Sequence, residues 1–285
     1  MNFFPPCLNS LFYPVLCPLC GATPKAFSNP FFAVCENDKL VIHTAFKETN
    51  YEENYFEKEY VAQYGKSYID DKPAISARAK WRYERVQHFL KPTTHPRLLE
   101  VGSAAGFFLE AMQAQGFQTE GWEVSESMTE YANAHSITTY THDFFGGAME
   151  HLRQQKPRFD AVALFYVLEH FADQKKAWEL LSSLVREGGF LLLSLPSVDG
   201  PTFHYAREKW YSTHPQDHAV DYSPASLERI GMRFGFKCKA VFSEGIHPQR
   251  FPWGEFPPIA YFYRKMLEKL PISDTIFAIL ERTHP

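Results

Sequence analysis

The chain has no apolar run approaching the roughly 20 residues of a membrane-spanning helix, so no such span is expected among its 285 residues. Its start, Met1 to Pro14, is apolar but lacks a basic leader and a convincing cleavage site, so no export signal is expected. Positive charge is not in excess: 29 Lys and Arg against 33 Asp and Glu give a formal net charge of −4, with no dense Lys/Arg cluster. A long nucleic acid is therefore not an expected partner, since it needs a basic surface to neutralise its phosphates. Cysteines are few and odd in number (7, 17, 20, 35 and 238), in no disulfide-like spacing. With no export signal they read as reduced thiols or metal ligands in the cytoplasm. Internal repeats and low-complexity tracts are absent too. What the sequence does have is a globular balance, 45% hydrophobic and 22% charged, with 26 Phe and 15 Tyr to build a core, pockets or lids.

Four textures follow one another along the chain. Residues 1–45 are rich in Pro, Phe and Cys, with little periodicity. Residues 46–95 carry Tyr51, Tyr55, Tyr60, Tyr64 and Tyr68 among charges, then an expected helix from about Ile75 to Leu90; Lys91 to Pro96 breaks it and reads as a linker. From Arg97 strands alternate with helices. The expected strands are Leu98–Val101, Gln118–Val124, Ile137–Thr141, Phe159–Tyr166 and Phe190–Leu195. Expected helices end at Gly116 and run from Asp173 to Gly188-Gly189, and Ser125 or Ser127 can cap the one between. Ser223-Pro224 opens a helix that ends near Gly235, and Lys237–Phe242 and Thr275–Leu280 are candidate strands. The alternation argues for an α/β fold, a parallel sheet with helices on both faces. Residues 96–285 form that domain, with insertions at 197–222 and 245–273; a Cys-bearing segment (1–45) and a helical lid or linker (46–95) precede it.

The first strand runs into Gly102-Ser-Ala-Ala-Gly106 and then a helix. Such a turn presents free backbone N–H groups to the polar parts of a nucleotide, and missing side chains allow close approach. Gly102 and Gly106 fit this role, with Ala104 small enough to sit between them. Phe107 breaks the Gly-x-Gly-x-x-Gly fingerprint, so no pyrophosphate needs to be held. Glu123 ends the second strand, 21 residues after Gly102, where a carboxylate can accept from both hydroxyls of an adenosine ribose. Asp143 ends the third strand at the same edge, placed to reach an adenine.

Leu98-Leu-Glu-Val-Gly-Ser-Ala-Ala-Gly-Phe-Phe-Leu109 resembles motif I of class I S-adenosylmethionine-dependent methyltransferases, and Gly121-Trp-Glu-Val-Ser125 resembles their ribose-binding strand. Phe159 to His170 is similar to the fourth strand and Glu-His segment of the branch holding ubiquinone-biosynthesis and sugar methyltransferases; Gly188 to Pro196 is similar to the fifth. The likeness spans about residues 96–243. It implies a Rossmann-like seven-stranded sheet, mostly parallel with the last strand antiparallel, and S-adenosylmethionine as methyl donor. It implies cofactor contacts from Glu100, Gly102, Ala104, Gly106, Glu123, Asp143, Phe144 and Tyr166. Ala104 departs from the usual middle glycine, a mild change.

Methyl transfer from a sulfonium is an in-line displacement, in which the enzyme aligns the acceptor and, where needed, takes its proton. Glu169 and His170 follow the fourth strand, and His218 lies in a Pro-x-acid-His element resembling one in related enzymes. Relatives that bind a divalent metal there use Glu-x-x-Glu-His with a further His. Here the first Glu position is Tyr166, so Glu169, His170 and His218 are read as acid/base or acceptor-binding groups. Tyr205, Trp210 and Tyr211 can form an aromatic lid over substrate and sulfonium, or ordinary packing.

Cys17-Pro-Leu-Cys20-Gly21 has the form of a metal knuckle, and Cys35 adds a third sulfur. Related methyltransferases carry an N-terminal zinc ribbon, whose fourth cysteine is replaced here by Asp38; His43 and Cys7 are other candidates. A structural zinc on Cys17, Cys20, Cys35 and Asp38 competes with a degraded ribbon of free thiols. The expected function is methylation of a small molecule, a sugar or another cell-surface precursor among them. The alternatives are an RNA or protein methyltransferase, or a non-catalytic nucleotide-binding interaction module.

Overall fold

A computed structural model describes residues 16–49, 60–90, 95–250, 256–267 and 270–283. Cys7, Tyr51 and Tyr55, and most of the expected linker at 91–96, lie outside the described residues. Three short strands come first: β1 (Lys25–Ala26), β2 (Phe32–Cys35) and β3 (Leu40–His43). Helices α1 (Tyr60–Tyr64) and α2 (Lys72–Val86) follow. The alternation then runs β4 (Arg97–Val101), α3 (Phe107–Gln113), β5 (Gln118–Glu123), α4 (Glu126–Ala134), β6 (Thr139–Thr141), α5 (Phe144–Arg153) and β7 (Phe159–Phe165). It continues with α6 (Gln174–Leu184), β8 (Val185–Pro196), α7 (Pro201–Tyr205), α8 (Arg207–Thr213) and β9 (Val220–Asp221). Last come α9 (Pro224–Arg233), β10 (Phe236–Gly245), α10 (Pro257–Leu267) and β11 (Thr275–Arg282).

The main sheet has seven strands in the order β10-β11-β8-β7-β4-β5-β6. Strands β8, β7, β4, β5 and β6 are parallel, and β11 is antiparallel to both its neighbours, as the resemblance implies. Helices cover both faces, so the central strands are near-continuous apolar runs, with Leu98, Leu99, Ala161 to Leu164 and Leu191 to Leu193 all buried. Successive connections leave β4 towards β5 and β6 but leave β7 towards β8. The β4/β7 boundary is therefore the switch point, and the carboxyl ends of those strands are where sheets of this kind place their ligand crevice.

Several boundaries differ from the sequence expectation for identifiable reasons. The helix from Asp173 ends at Leu184 rather than at Gly188-Gly189. Val185 already pairs with Phe159, and the two glycines sit in a bulge where Gly188 takes a positive φ. Ser125, not Ser127, caps α4, its side chain accepting from the Met128 N–H. Helix α5 was hidden by Gly146-Gly147. A Cβ on Gly147 would lie 3.1 Å from the Trp122 ring, so glycine lets this helix close over that strand.

Residues 25–43 form a small second sheet, β1-β2-β3-β9, that the weak periodicity did not reveal. It is fastened to the main domain, because β9 lies beyond α8 and pairs with β3 through Val41–Asp221 and Ile42–Val220. Cys17, Cys35, Leu40 and Ile42 share one apolar core with Tyr222, Leu227 and Ile230. Next to β9, the Tyr222 hydroxyl accepts from the Trp178 indole at 3.0 Å and donates to Gln174, whose amide donates to the carbonyls of Leu168 and Phe171. That buried chain fixes the 3-10 turn Leu168–His170 at the end of β7. Among the described residues no helix is long and apolar enough to cross a membrane.

Candidate active site

Beyond β4 the chain turns through Gly102 to Gly106 into α3. Gly102 and Gly106 both have left-handed φ, and a Cβ on either would lie 2.6 Å from Val167 Cγ2 or 2.7 Å from Ile137 Cγ2 respectively. Glycine is therefore required at both by backbone and by space. Ala104 also sits at φ +45°, a region that costs an L-residue about 1–2 kcal/mol. The expected mild change is thus a strained one. What holds it is Glu123: the Ala104 N–H donates to one carboxylate oxygen at 2.7 Å and the Ser125 N–H to the other at 2.9 Å. Burial pushes the Glu123 carboxyl up while these N–H groups pull it down.

Glu100, on β4, lies in the same buried pocket. Burial pushes its carboxyl far above the usual range, with the Arg82 charge opposing and the Glu123 charge adding. Its Oε2 has no hydrogen-bond partner among the described residues. The Tyr68 ring stacks on Phe107, centroids 5.7 Å apart, and meets Tyr60 edge-on. Burial, then the Glu100 charge, raises the Tyr68 phenol pKa. Arg82 on α2 pairs with Glu244 at 2.7 Å, both side chains nearly inaccessible, and its guanidinium lies 3.7 Å over the Phe165 ring. Tyr166 takes φ +59° at the tip of β7 and directs its hydroxyl to Glu244 at 3.4 Å. The position held by glutamate in metal-binding relatives thus faces another group.

Tyr68, Arg82 and Glu244 were missed in the sequence. A signal existed for Arg82, which shares the buried stripe of α2 with Ala79 and Val86 at helical spacing. Two expected cofactor residues have structural work of their own. Asp143 caps α5, accepting from the Gly146 N–H at 2.9 Å. Phe144 is buried in the core, stacked on Phe171 with centroids 4.9 Å apart, so its ring is taken up by packing.

The structure brings Glu169, His170 and His218 together, with donor atoms within 4.8 Å of one another. Glu169 is fully buried, neither carboxylate oxygen has a hydrogen-bond partner among the described residues, and burial pushes its pKa from 4.5 to about 7. Burial lowers the His170 pKa, but hydrogen bonding and charge from Asp217 outweigh it and leave it raised. His218 is lowered by burial, against the pull of Asp221. A buried carboxyl pushed up beside two imidazoles shifted in opposite directions forms a dry cluster suited to proton transfer. Trp210 and Tyr211 pack on Phe32 of β2, whereas Tyr205 is 75% exposed. Of the three, two are packing rather than a lid.

The thiols of Cys17, Cys20 and Cys35 and the Asp38 carboxylate also converge within 4.8 Å. Gly21, at φ +72°, closes the knuckle with an N–H bond to the Cys17 carbonyl, and the Asp38 N–H reaches Cys35 Sγ at 3.4 Å. Arg233 of α9 pairs with Asp38. His43 is not part of this group; its ring stacks on Phe32 and faces the His218 carbonyl.

A glycine turn and a carboxylate closing the next strand, both at the switch point of a parallel sheet, are the arrangement of a nucleotide-binding α/β enzyme. Residues 74–241, more than half of the chain, match the methyltransferase-domain family, and the chain belongs to it. The ubiquinone biosynthesis O-methyltransferase of Chromobacterium violaceum is 31% identical over 160 residues, covering 53% of this chain and 69% of that protein. Its counterpart in Alkalilimnicola ehrlichii is 30% identical over 112 residues, 39% of this chain and 45% of that protein, so less than half of that relative is spanned. An S-adenosylmethionine-dependent methyltransferase from Archaeoglobus fulgidus shares the fold at TM-score 0.54 and 18% identity, covering 81% of this chain and all of that one. The protein is a class I S-adenosylmethionine-dependent methyltransferase.

The loop geometry separates its small residues. Gly102→Ala meets both a clash and a left-handed φ, and is expected to destabilise by about 2 kcal/mol or more. Ala104→Gly relieves strain but frees the unfolded chain, so stability should change by less than about 1 kcal/mol. Urea unfolding of both variants checks the pair, and equal losses would contradict the loop assignment.

Proposed function

We propose that the enzyme methylates a small molecule, with S-adenosylmethionine lying across the tips of β4 and β5. The observation that carries this reading is Glu123, whose two oxygens each keep a lone pair beyond the backbone N–H groups they already hold. They are available for the ribose hydroxyls. Glu100, with an unpartnered buried oxygen, Gly102, Ala104 and Gly106 would line the methionine end, and Tyr166 would close it. Asp143 would meet the adenine, with Phe144 supporting it from the core. Bound there, the donor supplies a methyl on a sulfonium sulfur, which keeps the S–C electron pair when the acceptor takes the methyl.

Glu169, His170 and His218 would accept and store the proton that the acceptor gives up. The ubiquinone-biosynthesis relatives are O-methyltransferases, which favours a hydroxyl acceptor, and a sugar or cell-surface precursor offers that group as well. A net charge of −4 disfavours an RNA substrate, and a buried acid–base cluster disfavours a non-catalytic module. The division into a Cys-bearing segment (1–45), a helical lid (46–95) and a catalytic domain (96–285) belongs to this proposal, as does action in the cytoplasm.

The converging Cys17, Cys20, Cys35 and Asp38 fit zinc, whose structural sites are four-coordinate and sulfur-rich. Buried thiols are otherwise costly to ionise: burial raises the Cys17 and Cys20 pKa values. A dication would replace their protons, and Arg233 would orient Asp38. Its role would be structural.

Outcomes of three kinds test these assignments: first donor and acceptor binding, then the pH response, then the metal. Excess S-adenosylhomocysteine should stabilise the protein by about 2.7 kcal/mol at a hundredfold over its dissociation constant, and Glu123→Gln should lose most of that shift; an unaltered response would place the ribose elsewhere. With methyl-labelled S-adenosylmethionine and a fractionated lysate, label should enter the small-molecule filtrate, and label in RNA or protein alone would overturn the acceptor class.

The second outcome concerns Glu169. Its pKa is raised on folding, so the folded state binds a proton that the unfolded state releases, and stability falls as pH rises from 4.5 to about 7. Glu169→Gln should abolish methyl transfer yet be more stable above pH 7 by on the order of 2 kcal/mol, with no gain at pH 4.5. Parallel stability curves for variant and parent would contradict it. Thirdly, protein purified without chelator should hold about one zinc per chain, lost in Cys20→Ser; metal-free parent protein of full stability would remove the zinc proposal.

A further inference from the structure

Around His218 stands a second shell of charge that the methyl-transfer reading leaves unused. Asp221, 2% exposed, accepts from or pairs with two imidazoles: its Oδ2 lies 2.7 Å from His214 Nε2 and its Oδ1 3.6 Å from His218 Nδ1. The first is a short hydrogen bond; the second lies beyond hydrogen-bond reach, so that His218 Nδ1, buried and without a hydrogen-bond partner among the described residues, has the Asp221 carboxylate beside it. Asp221 is the last residue of β9, whose partner in the small sheet is Val41 of β3. The same sheet touches His218 directly, since His43 Nδ1 lies 3.3 Å from the His218 carbonyl and the His43 N–H donates to the Ala219 carbonyl. On the other side, the Ala219 N–H donates to the Glu169 carbonyl at 2.8 Å. The groups facing this imidazole are thus Asp221 on β9, His214 after α8, His43 on β3, Glu169 and His170 on the 3-10 turn, and Asp217 in the loop between. The His170 and His218 rings meet edge-on, centroids 4.7 Å apart.

We propose that Asp221 is a positioning residue: anchored by His214 and by the Cys-bearing sheet, it fixes the orientation and tautomer of His218 for accepting the acceptor's proton. This rests on the reading that Glu169, His170 and His218 handle that proton. With Nδ1 facing the carboxylate and carrying hydrogen, Nε2 is left as the basic nitrogen of a ring that shares a 4.8 Å cluster with Glu169 and His170. When Nε2 takes the proton, the acceptor keeps the electron pair that bonds the methyl, and the imidazolium so formed lies beside a fixed negative charge. Burial works against that charge, but the contacts with His214 and His218 outweigh it and hold the Asp221 carboxyl well below the usual carboxylate range. The Cys-bearing sheet thereby has a direct part in the chemistry, as the floor that holds the carboxylate in place.

Histidine-ring NMR on protein labelled with nitrogen-15 tests this without knowing the acceptor. The His218 signal is assigned by its loss in His218→Gln. In the parent near neutral pH it should report a neutral ring with hydrogen on Nδ1. In Asp221→Asn, which keeps size and an oxygen acceptor for His214, the His218 pKa should fall by about one unit and the hydrogen should move towards Nε2. Asp221→Glu should restore the direction of both. A purely structural role would move neither. A parent ring protonated on Nε2, or an Asp221→Asn ring with parental tautomer and pKa, overturns the proposal, and the parental spectrum decides it even where the variant does not fold. Failure of the proton-handling reading shows separately, as methyl transfer at the parental rate by His218→Gln.

Discussion

The two hydrogen bonds from Ala104 and Ser125 to Glu123 are the constraint on which the rest of the site depends. They tie the turn after β4 to the end of β5, so two strands meet with a fixed gap at the switch point of the sheet. A charged carboxylate is costly to bury, and here it is kept by backbone N–H groups that have no other acceptor. In return it holds Ala104 in a conformation that the residue would not take alone. One side chain thus serves as the clasp of the loop, and it is the same one that the proposed function makes the acceptor for a ribose diol.

Around that clasp, charge is buried in matched sets. Arg82 and Glu244 come from α2 and β10, at opposite ends of the chain, and close over the crevice with Phe165 as a platform. Removing either partner would strand the other in a dry place, which makes the helical segment before the sheet part of the site instead of an appendage. Glu100 and Glu169 are the exceptions: both are buried with unpartnered oxygens. Buried acids left without partners destabilise a fold, and their position beside the crevice and beside His218 is where such a cost has a functional return.

The sheet was legible because its central strands are apolar runs separated by turn residues, and because Gly102, Gly106 and Glu123 sit where the backbone demands them. Glu169, His170 and His218 were legible as a group through the spacing of the Glu-His segment and the later Pro-x-acid-His. What stayed hidden has a physical reason. Strands of two to four residues, such as β1 and β9, carry too little periodicity to register, and β9 pairs only across 180 residues of sequence, Asp221 with Val41. Gly146-Gly147 masked α5 because glycine was needed for close approach to Trp122 and not for a turn. Tyr68 and Arg82 stayed hidden because what buries them, Phe107 and the Glu244–Phe165 pair, comes from distant parts of the sequence.

The small sheet also changes how the chain's modules are understood. A ribbon held by thiols would ordinarily be a separable tag, folding on its own metal. Here its third strand borrows its last partner from the catalytic insertion, and its cysteines share a core with Tyr222, which in turn steadies the turn bearing Glu169 through Trp178 and Gln174. Loosening the thiol cluster would therefore be felt at β9 before it was felt at the sheet edge, because β9 is only two residues long and, among the described residues, is flanked by β3 and by the single bridge from Tyr222 to Ser197. Such a short strand keeps its register only while both flanks are fixed. On one flank stands the Cys17–Asp38 cluster and on the other the acid–base loop, so the order of the first is a condition for the geometry of the second.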